Sequence, residues 1–376
     1  MKKNKIPKII IGSGGTCGHI YPGIAIAEEL SKKVVPKSHI LFIGSKNHME
    51  MQEIPKFGYL FEGISISGGK DKFCSIVSGM ILSMELICSF FVIKKLFNKF
   101  CPDIVIGTGG FVSFPTLYAA QKCKIPILLQ EQNSFPGFTN RIFSRSARKI
   151  CVAYNETKKI FSPKIQTNII TTGNPIRSEI MQKIFLDKNQ ACLNLGLNVN
   201  KPIILSIGGS QGAHSINMAW INGLNKLINL DIQLIWQVGK IDFIKIAKNQ
   251  NFYHKNIIMM DFIENITICY SAADIVVSRA GGLTISEISL IGKPFILIPF
   301  PFASDDHQNK NAQILKEKDA ALIIKNEEIE QKLVDATIDL LNDSIRQNRM
   351  IKNILKLGKP KATYNIVKEI SHILDL

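Results

Sequence analysis

The feature that most limits what this chain can fold into is a local plan that occurs twice. Lys8-Ile-Ile-Ile-Gly-Ser-Gly-Gly-Thr-Cys-Gly18 and Pro202-Ile-Ile-Leu-Ser-Ile-Gly-Gly-Ser-Gln-Gly212 each run an apolar stretch into G-G-[ST]-x-G and then into a helix-forming segment. A short β-branched run entering a glycine loop and a helix is the βα half of a parallel-sheet unit. Around each copy the alternation continues. HILFIG, DIVIG, IPILLQ, KICVA and NIITTG follow the first, and IQLIWQVG, NIIMMDFI, DIVVSRAGG and KPFILIPFP follow the second. Between them Gly173-Asn174-Pro175 forms a turn-prone boundary. The expectation is an α/β protein of two Rossmann-like domains with a cleft between them, over 1–175 and 176–358. A helical tail starts near Asp335, and its last helix, about 359–376, should pack back on the first domain. At 376 residues the chain has room for two such cores.

Charge is distributed unevenly over this duplicated plan. The chain carries a formal +16. Residues 1–175 hold 23 basic against 10 acidic residues, net +13, whereas residues 176–376 hold 23 against 20, net +3. A lysine-rich coding bias would not divide in that way, so the first half should face an anionic membrane surface or another polyanion. Nucleic acid is not the expected partner, because no binding module is recognisable and aromatic residues make up only 8%. The eight cysteines form no C-x-x-C pair and have no histidine at zinc-ligand spacing, so they read as reduced cytosolic thiols. Only Ile9-Ile10-Ile11 follows the basic start, too short a run for the core of a signal peptide.

Phe73 to Ile93 is nearly apolar for long enough to suggest a membrane span, with lysines at 70, 72, 94, 95 and 99 around it. Glu85 sits near its middle, and Ser75, Ser78, Gly79, Ser83, Glu85 and Ser89 share one arc of about 160° on a helix. A span would also put the strand at 104–106 across the membrane from its sheet partners. A surface helix fits better. Leu82, Leu86 and Phe90 fall within the polar arc, where exposed apolar side chains flanked by lysines suggest contact with a membrane. Packing against another part of the protein is the plain structural alternative.

Ligands of open parallel sheets sit beyond the carboxyl ends of the strands. Four glycine-bearing loops fall there: Gly12 to Gly18, Gly107 to Gly110, Gly208 to Gly212 and Arg279 to Gly282. Such loops bring backbone amides and helix N-termini close to negative charge, which points to a phosphate-bearing ligand. A nicotinamide dehydrogenase is the first competing class. Cys17 occupies the third glycine position of G-x-G-x-x-G, and Ile40-Leu-Phe-Ile43 ends in Gly44-Ser45 without an acid for a ribose, so both features speak against a dinucleotide. No loop ends in G-K-[ST]. His19 follows the first loop just before Pro22, which suits the first residue of a helix. With an unperturbed pKa of about 6.5, a histidine there suits general-base work on a hydroxyl nucleophile, and a capping or packing role is the alternative. Glu287, five residues after Gly282, could reach a ribose or sugar diol.

Assembled in order, these segments resemble the MurG family of peptidoglycan N-acetylglucosaminyltransferases. The resemblance is carried by Gly14-Gly-Thr-Cys-Gly-His-Ile-Tyr-Pro-Gly23, Gly109-Gly-Phe-Val-Ser113, Gln130-Glu-Gln-Asn133, Gly173-Asn-Pro-Ile-Arg177 and Gly208-Gly-Ser-Gln-Gly-Ala213. Asp261-Phe-Ile263, Ser278-Arg-Ala-Gly-Gly-Leu-Thr-Ile-Ser-Glu287 and Asp306-His-Gln-Asn-Lys-Asn-Ala312 complete it. It implies a glycosyltransferase-B architecture and transfer of GlcNAc from UDP-GlcNAc to undecaprenyl-diphospho-MurNAc-pentapeptide (lipid I), giving lipid II for cell-wall synthesis. It also implies a peripheral enzyme on the cytoplasmic face of the cell membrane. Other transferases of this fold class use acceptors such as diacylglycerol, which makes a different lipid acceptor the nearest alternative.

Carried over residue by residue, the resemblance implies that Ser210 and its loop hold the UDP diphosphate and that Ile263 meets the uracil through its backbone. Gly282, Leu283, Thr284, Ile285 and Ser286 would form the amide-rich helix start beside the phosphates, with Glu287 on the ribose hydroxyls. Arg177, Asn133 and Gln308 match positions for nucleotide or GlcNAc contacts. Thr16, Cys17 and Gly18 match the loop near the donor sugar and lipid diphosphate, and His19 matches the candidate base. Three positions depart from the family pattern: Cys17 and Gly282 replace a glycine and an alanine, and Phe111 stands where tyrosine is frequent. The implied reaction inverts the anomeric centre and has UDP as the leaving group. Loop amides can meet that charge, and Asp305-Asp306 lacks D-x-D spacing, so neither a metal nor a cofactor is expected.

Overall fold

The computed structural model describes residues 6–46, 48–66, 76–183, 186–248 and 254–376, with the backbone only for 76–84 and 182–183. Two compact units result. The first comprises Met1–Ser178 with Lys361–Leu376, and the second Glu179–Pro360.

In the first unit the elements are β1 (Ile9–Gly12), α1 (Cys17–Lys33), β2 (Ile40–Ser45), α2 (Glu50–Lys56), β3 (Leu60–Ile64), α3 (Ile76–Phe100) and β4 (Ile104–Gly107). They continue with α4 (Ser113–Lys122), β5 (Ile127–Glu131), α5 (Phe138–Phe143), β6 (Lys149–Val152) and β7 (Ile169–Thr171). The strands pair in parallel in the order β3-β2-β1-β4-β5-β6-β7. Their β-branched runs are buried on both faces, as a helix-covered parallel sheet requires. One face packs Ile20, Ile24 and Leu30 of α1, and the other packs Ile93 and Phe97 of α3 with Leu117 of α4 and Phe143 of α5.

The second unit begins with α6 (Ser178–Lys183), α7 (Lys188–Leu195), β8 (Ile203–Ile207), α8 (His214–Asn229), β9 (Gln233–Gln237), α9 (Lys240–Ile246) and β10 (Ile257–Met260). It goes on with α10 (Ile266–Ala272), β11 (Ile275–Ser278), α11 (Gly282–Ile291), β12 (Phe295–Leu297), α12 (His307–Glu317), β13 (Leu322–Ile323), α13 (Ile329–Asn342) and α14 (Ser344–Leu355). Its parallel sheet is ordered β10-β9-β8-β11-β12-β13. Local chemistry sets the helix ends. Asp187 caps α7 by accepting from Gln190 N at 3.2 Å, and Gly196 ends it in the left-handed conformation at φ 67°. Both tryptophans are buried in this core with their indole N–H groups satisfied, Trp220 on Ser206 Oγ at 2.8 Å and Trp236 on Asn217 Oδ1 at 2.9 Å.

The last helix, α15 (Ala362–Ile373), returns to the first unit. It lays Ile366, Val367 and Ile370 on the α1 face, and Thr363 Oγ1 accepts from Ile176 N at 3.1 Å.

Two expectations need correction. Helix α1 starts at Cys17, so Pro22 lies inside it and His19 belongs to its first turn. Pro22 lacks the N–H that would have bonded to the Gly18 carbonyl and sets its ring against that carbonyl, and the tertiary packing of a buried helix outweighs both costs. The second correction concerns α3. Its polar arc does not face solvent along the described half: Ser89 is buried with its hydroxyl on Ser65 O at 3.4 Å, and Ile93 and Phe97 enter the core. A serine on an inward face costs little once its hydroxyl donates a hydrogen bond to a main-chain carbonyl. Phe90 therefore packs against the core, edge-on to Tyr118 at 5.5 Å, and Leu86 is half-buried. Among the described side chains of α3, the large apolar ones that are exposed are Ile87, Phe91 and Val92. The side chain of Leu82 lies outside the described residues. Among the described residues, no helix is long and apolar enough to cross a membrane.

Candidate active site

In each sheet the strand order reverses direction once, between β1 and β4 in the first and between β8 and β11 in the second. At such a switch point, neighbouring loops diverge at the carboxyl edge and leave a crevice. Gly12 pairs with Gly107 at the first, and Ile207 with Ser278 at the second. The four glycine loops picked out by sequence therefore fall in two pairs, one pair at each switch point.

His19 stands at the first switch point. Its carbonyl accepts from Ser13 Oγ and Thr108 Oγ1, both at 2.8 Å, which fixes the first turn of α1 to β1 and β4. The ring lies against the Gly109-Gly110 turn. A Cβ on Gly110, at φ +80°, would stand 2.5 Å from Gly14 O and 3.0 Å from His19 Cδ2, so only glycine permits this approach. Nδ1 lies 3.1 Å from both Thr108 O and Gln132 Oε1. Two acceptors facing one ring nitrogen define it as the protonated one, so the basic lone pair belongs to Nε2.

Around this histidine, Thr16 and Gly18 are exposed, while Cys17 Sγ contacts Met49 Sδ at 3.4 Å. Not every amide of the first loop is open to a ligand. Glu50, fully buried at the start of α2, accepts from Gly15 N at 3.3 Å and Ser45 N at 3.0 Å. The anion that occupies the Gly15 amide is thus the protein's own carboxylate, and Thr16 to Gly18 at the α1 terminus remain the segment suited to an incoming phosphate. Asn133 follows β5, with its main-chain N–H on Glu131 Oε1 at 2.9 Å. Burial pushes the Glu131 carboxyl up, against the pull of N–H donors from Asn133, Asn140 and Gly137. Arg177 stacks its guanidinium over the Tyr21 ring at 4.2 Å, and burial raises the Tyr21 phenol further above neutrality.

The second switch point gathers a different set. Gly212 and Gly239, at φ +77° and +87°, let the β8–α8 and β9–α9 loops touch backbone to backbone, which leaves no room for a Cβ on either. Gly239 N donates to Asp261 O at 3.1 Å, bringing the segment that ends in Ile263 to the same edge. Ser210 is half-exposed on the first of these loops. The Ile263 and Ile285 side chains are buried, so these residues can offer a ligand only their backbone. Gly282 is buried at the start of α11, Leu283 and Thr284 are half-exposed there, and Ser286 Oγ bonds Gly282 O at 2.9 Å. One turn further on, Glu287 Oε2 accepts from Tyr270 OH at 2.9 Å. The Gln308 carbonyl oxygen accepts from Ala280 N at 3.1 Å and Phe300 N at 2.9 Å, which leaves its amide nitrogen as the end that can donate to a sugar hydroxyl.

Arg279 joins these loops. Its guanidinium reaches Ile298 O, Pro299 O, Asn326 Oδ1 and Ser215 Oγ at 2.9–3.3 Å, and burial lowers its pKa to about 10. Sequence reading gave no role to Arg279, Glu50, Thr108 or Gln132. Arg279 and Gln132 lie inside motifs, where residue identity could have raised the question, whereas Glu50 carries no local signal.

Two parallel-sheet units, each with its glycine loops paired at its own switch point, have the architecture of the glycosyltransferase-B fold, and the comparisons with known proteins assign the chain to the nucleotide-sugar glycosyltransferases of that fold. The chain matches the glycosyltransferase family 28 N-terminal domain over residues 9–152 and the family 28 C-terminal domain over residues 203–369. Among curated proteins it is 40% identical to the UDP-N-acetylglucosamine--N-acetylmuramyl-(pentapeptide) pyrophosphoryl-undecaprenol N-acetylglucosamine transferase of Christiangramia forsetii, over 98% of both chains. It is 39% identical to the protein of the same name from Cytophaga hutchinsonii, over 100% of this chain and 99% of that one. The chain belongs to this family, the MurG glycosyltransferases. Among solved structures, MurG of Acinetobacter baumannii shares the fold with a TM-score of 0.73 at 24% identity, covering 97% of this chain and 100% of that one. The MnaA–UDP structure from S. aureus shares it with a TM-score of 0.70 at 16% identity, covering 98% and 97%.

Proposed function

We propose that this chain transfers GlcNAc from UDP-GlcNAc to the 4-hydroxyl of MurNAc in undecaprenyl-diphospho-MurNAc-pentapeptide, with inversion. The observation that carries the reading is the placement of the family's motifs at the carboxyl edges of both sheets, with His19 at one switch point and the start of α11 at the other. The muramyl hydroxyl is a poor nucleophile and needs a base. His19 Nε2 takes its proton as O4 forms the new bond to C1 of GlcNAc. The bond from C1 to the UDP oxygen breaks, and its electron pair leaves on the diphosphate. First-turn amides of α11 and the Gly208 to Gly212 loop meet that charge, aided by the helix macrodipole. Glu287 holds the ribose hydroxyls, Gln308 a sugar hydroxyl, and Ser210 the diphosphate. Ile263 meets the uracil through its backbone, and Asn133 and Arg177 complete the donor contacts. Thr16 to Gly18 serve the donor sugar and the lipid diphosphate. The reading asks for no metal, because amides and helix ends supply the positive potential.

The same reading puts the enzyme at the cytoplasmic face of the membrane as a peripheral protein. Supporting it is one helix layer on the first sheet, whose outer side exposes Ile87, Phe91 and Val92 of α3, Tyr118 of α4, and Phe138 and Ile142 of α5. Lys94, Lys95, Lys122 and Arg145 are exposed on the same three helices or just after them. An apolar surface set among basic residues suits an anionic bilayer that carries a polyprenyl acceptor. The test is transfer of labelled GlcNAc to a short-chain lipid I analogue with diacylglycerol as competitor. Label on the muramyl lipid supports the proposal, and label on diacylglycerol assigns the chain to the other acceptor class.

A further inference from the structure

A closed ring of side-chain amides lies behind His19, and none of its members has a role in the reaction as described. Gln132 Nε2 donates to Gln130 Oε1, Gln130 Nε2 donates to Asn174 Oδ1 at 3.0 Å, and Asn174 Nδ2 returns to the main-chain carbonyl of Gln132 at 3.0 Å. Gln130, Gln132 and Asn174 are each at most 2% exposed. Gln132 Nε2 also donates to Thr108 O at 2.7 Å, and its Oε1 faces His19 Nδ1 at 3.1 Å.

Main-chain carbonyls cannot exchange roles, so they fix the direction of every bond in the ring. The Thr108 and Gln132 carbonyls are obligatory acceptors, so Gln132 must point its nitrogen at Thr108 and Asn174 must point its nitrogen at Gln132. Reversing Gln132 would set its oxygen against Thr108 O and Gln130 Oε1 together, two buried acceptor pairs with no proton between them. With Gln132 held in this sense, its oxygen faces His19 Nδ1, as does Thr108 O. Only the Nδ1–H form of the imidazole fits.

We propose that Gln132 is a positioning residue that locks His19 in the Nδ1–H tautomer and so keeps the lone pair on Nε2, the atom that must receive the acceptor proton. The proposal rests on the reading of His19 as the base. Histidine bases are held more often by a carboxylate, which stabilises the imidazolium as well as orienting the ring. A neutral amide orients the ring without that stabilisation, which leaves the protonated form easier to discharge. The ionisable groups around this arrangement include Cys17 and Tyr21 of α1, His48, edge-on to Phe111 at 6.0 Å, Glu50 at the Gly15 amide, Glu131 of β5 turned to Asn140 and Gly137, and Arg177 over Tyr21. Residues 107–113, which carry the Gly109-Gly110 turn, include no ionisable side chain.

The direct test reads the ring in the unsubstituted protein and uses a variant only for assignment. In full-length protein carrying 15N-labelled histidine, with His19 assigned by its absence in His19→Asn, the ring should show a protonated Nδ1 and an unprotonated Nε2 at neutral pH. The Nε2–H form would overturn the proposal. A kinetic arm reads the same contact. Gln132→Met keeps the length of the side chain but gives Nδ1 no amide oxygen, and should move the acid limb of kcat/KM downward by about half a pH unit. Gln132→Leu should lower kcat about 10- to 100-fold with UDP-GlcNAc binding retained. If His19→Ala abolishes turnover while both Gln132 variants keep the wild-type limb and kcat, Gln132 has no positioning role. If His19→Ala keeps turnover, the base assignment falls, and the labelled-histidine spectrum of Gln132→Leu still decides the tautomer: loss of the pure Nδ1–H form supports the lock by Gln132, and its full retention shows that Thr108 O alone sets it.

Discussion

The phenol of Tyr270, on α10, donates to Oε2 of Glu287, on α11, at 2.9 Å. The bond fixes a half-buried helix carboxylate in place. Glu287→Ala should weaken UDP-GlcNAc binding about 10- to 100-fold, from the loss of charge-assisted hydrogen bonds worth about 1.5–3 kcal/mol. Tyr270→Phe, which removes only the orienting bond, should cost less than about tenfold. Titration calorimetry with UDP-GlcNAc measures both, and an unchanged Kd in Glu287→Ala would remove the residue from the donor site.

His19→Ala should lower kcat by about 10²- to 10⁴-fold, the range expected for loss of a general base, and leave UDP-GlcNAc affinity near wild type. Steady-state kinetics beside direct donor binding separates the two effects. A fall in affinity with kcat retained would make His19 a binding residue.

The helix that was to carry the membrane contact offers a discriminating pair. Ile87→Glu with Phe91→Glu should reduce co-sedimentation with anionic vesicles at least about tenfold, since each apolar side chain transferred from water contributes about 1.5–3 kcal/mol. Phe90→Ala should instead lower Tm, because Phe90 packs on Tyr118 and the core. Unchanged vesicle binding in the double variant would move the membrane contact elsewhere.

UDP binds the folded protein in this account, so millimolar UDP should raise Tm by mass action, while NADH at the same concentration should not. Protection by NADH in place of UDP would point back to a dinucleotide enzyme.

Much of this organisation was legible in the sequence because its signals are local. Ile9-Ile10-Ile11 and Ile203-Ile204-Leu205 read as central strands through uninterrupted apolar character, and the glycines after them mark sharp strand-to-helix turns. Two of the four edge strands, β3 and β13, were not legible. Leu60–Ile64 alternates exposed and half-buried residues and includes Gly63, and Leu322–Ile323 is only two residues long, so neither has the buried run of a central strand. The face of α3 was misread for a related reason. Periodicity sorts residues into faces, but whether Ser89 or Phe91 turns inward depends on what the neighbouring helix and the Ser65 carbonyl offer.

The site divides along the same line. Glycine loops follow from their place at strand ends, and His19 and Glu287 from motif spacing, the first directly after Gly18 and the second five residues after Gly282. The contacts of Gln132, Glu50 and Arg279 join segments distant in the chain, such as Gln132 to His19 and Arg279 to Asn326, and they exist only once the sheets have formed.

The most direct measurement of the central claim is the structure of the product. Purified protein is given UDP-GlcNAc labelled at C1 and a short-chain undecaprenyl-type acceptor carrying MurNAc-pentapeptide, and the released disaccharide is examined by NMR. The account predicts a new bond from GlcNAc C1 to O4 of MurNAc with the anomeric configuration inverted to β. An α-linked product, attachment at another hydroxyl, or release of free GlcNAc without transfer would contradict it.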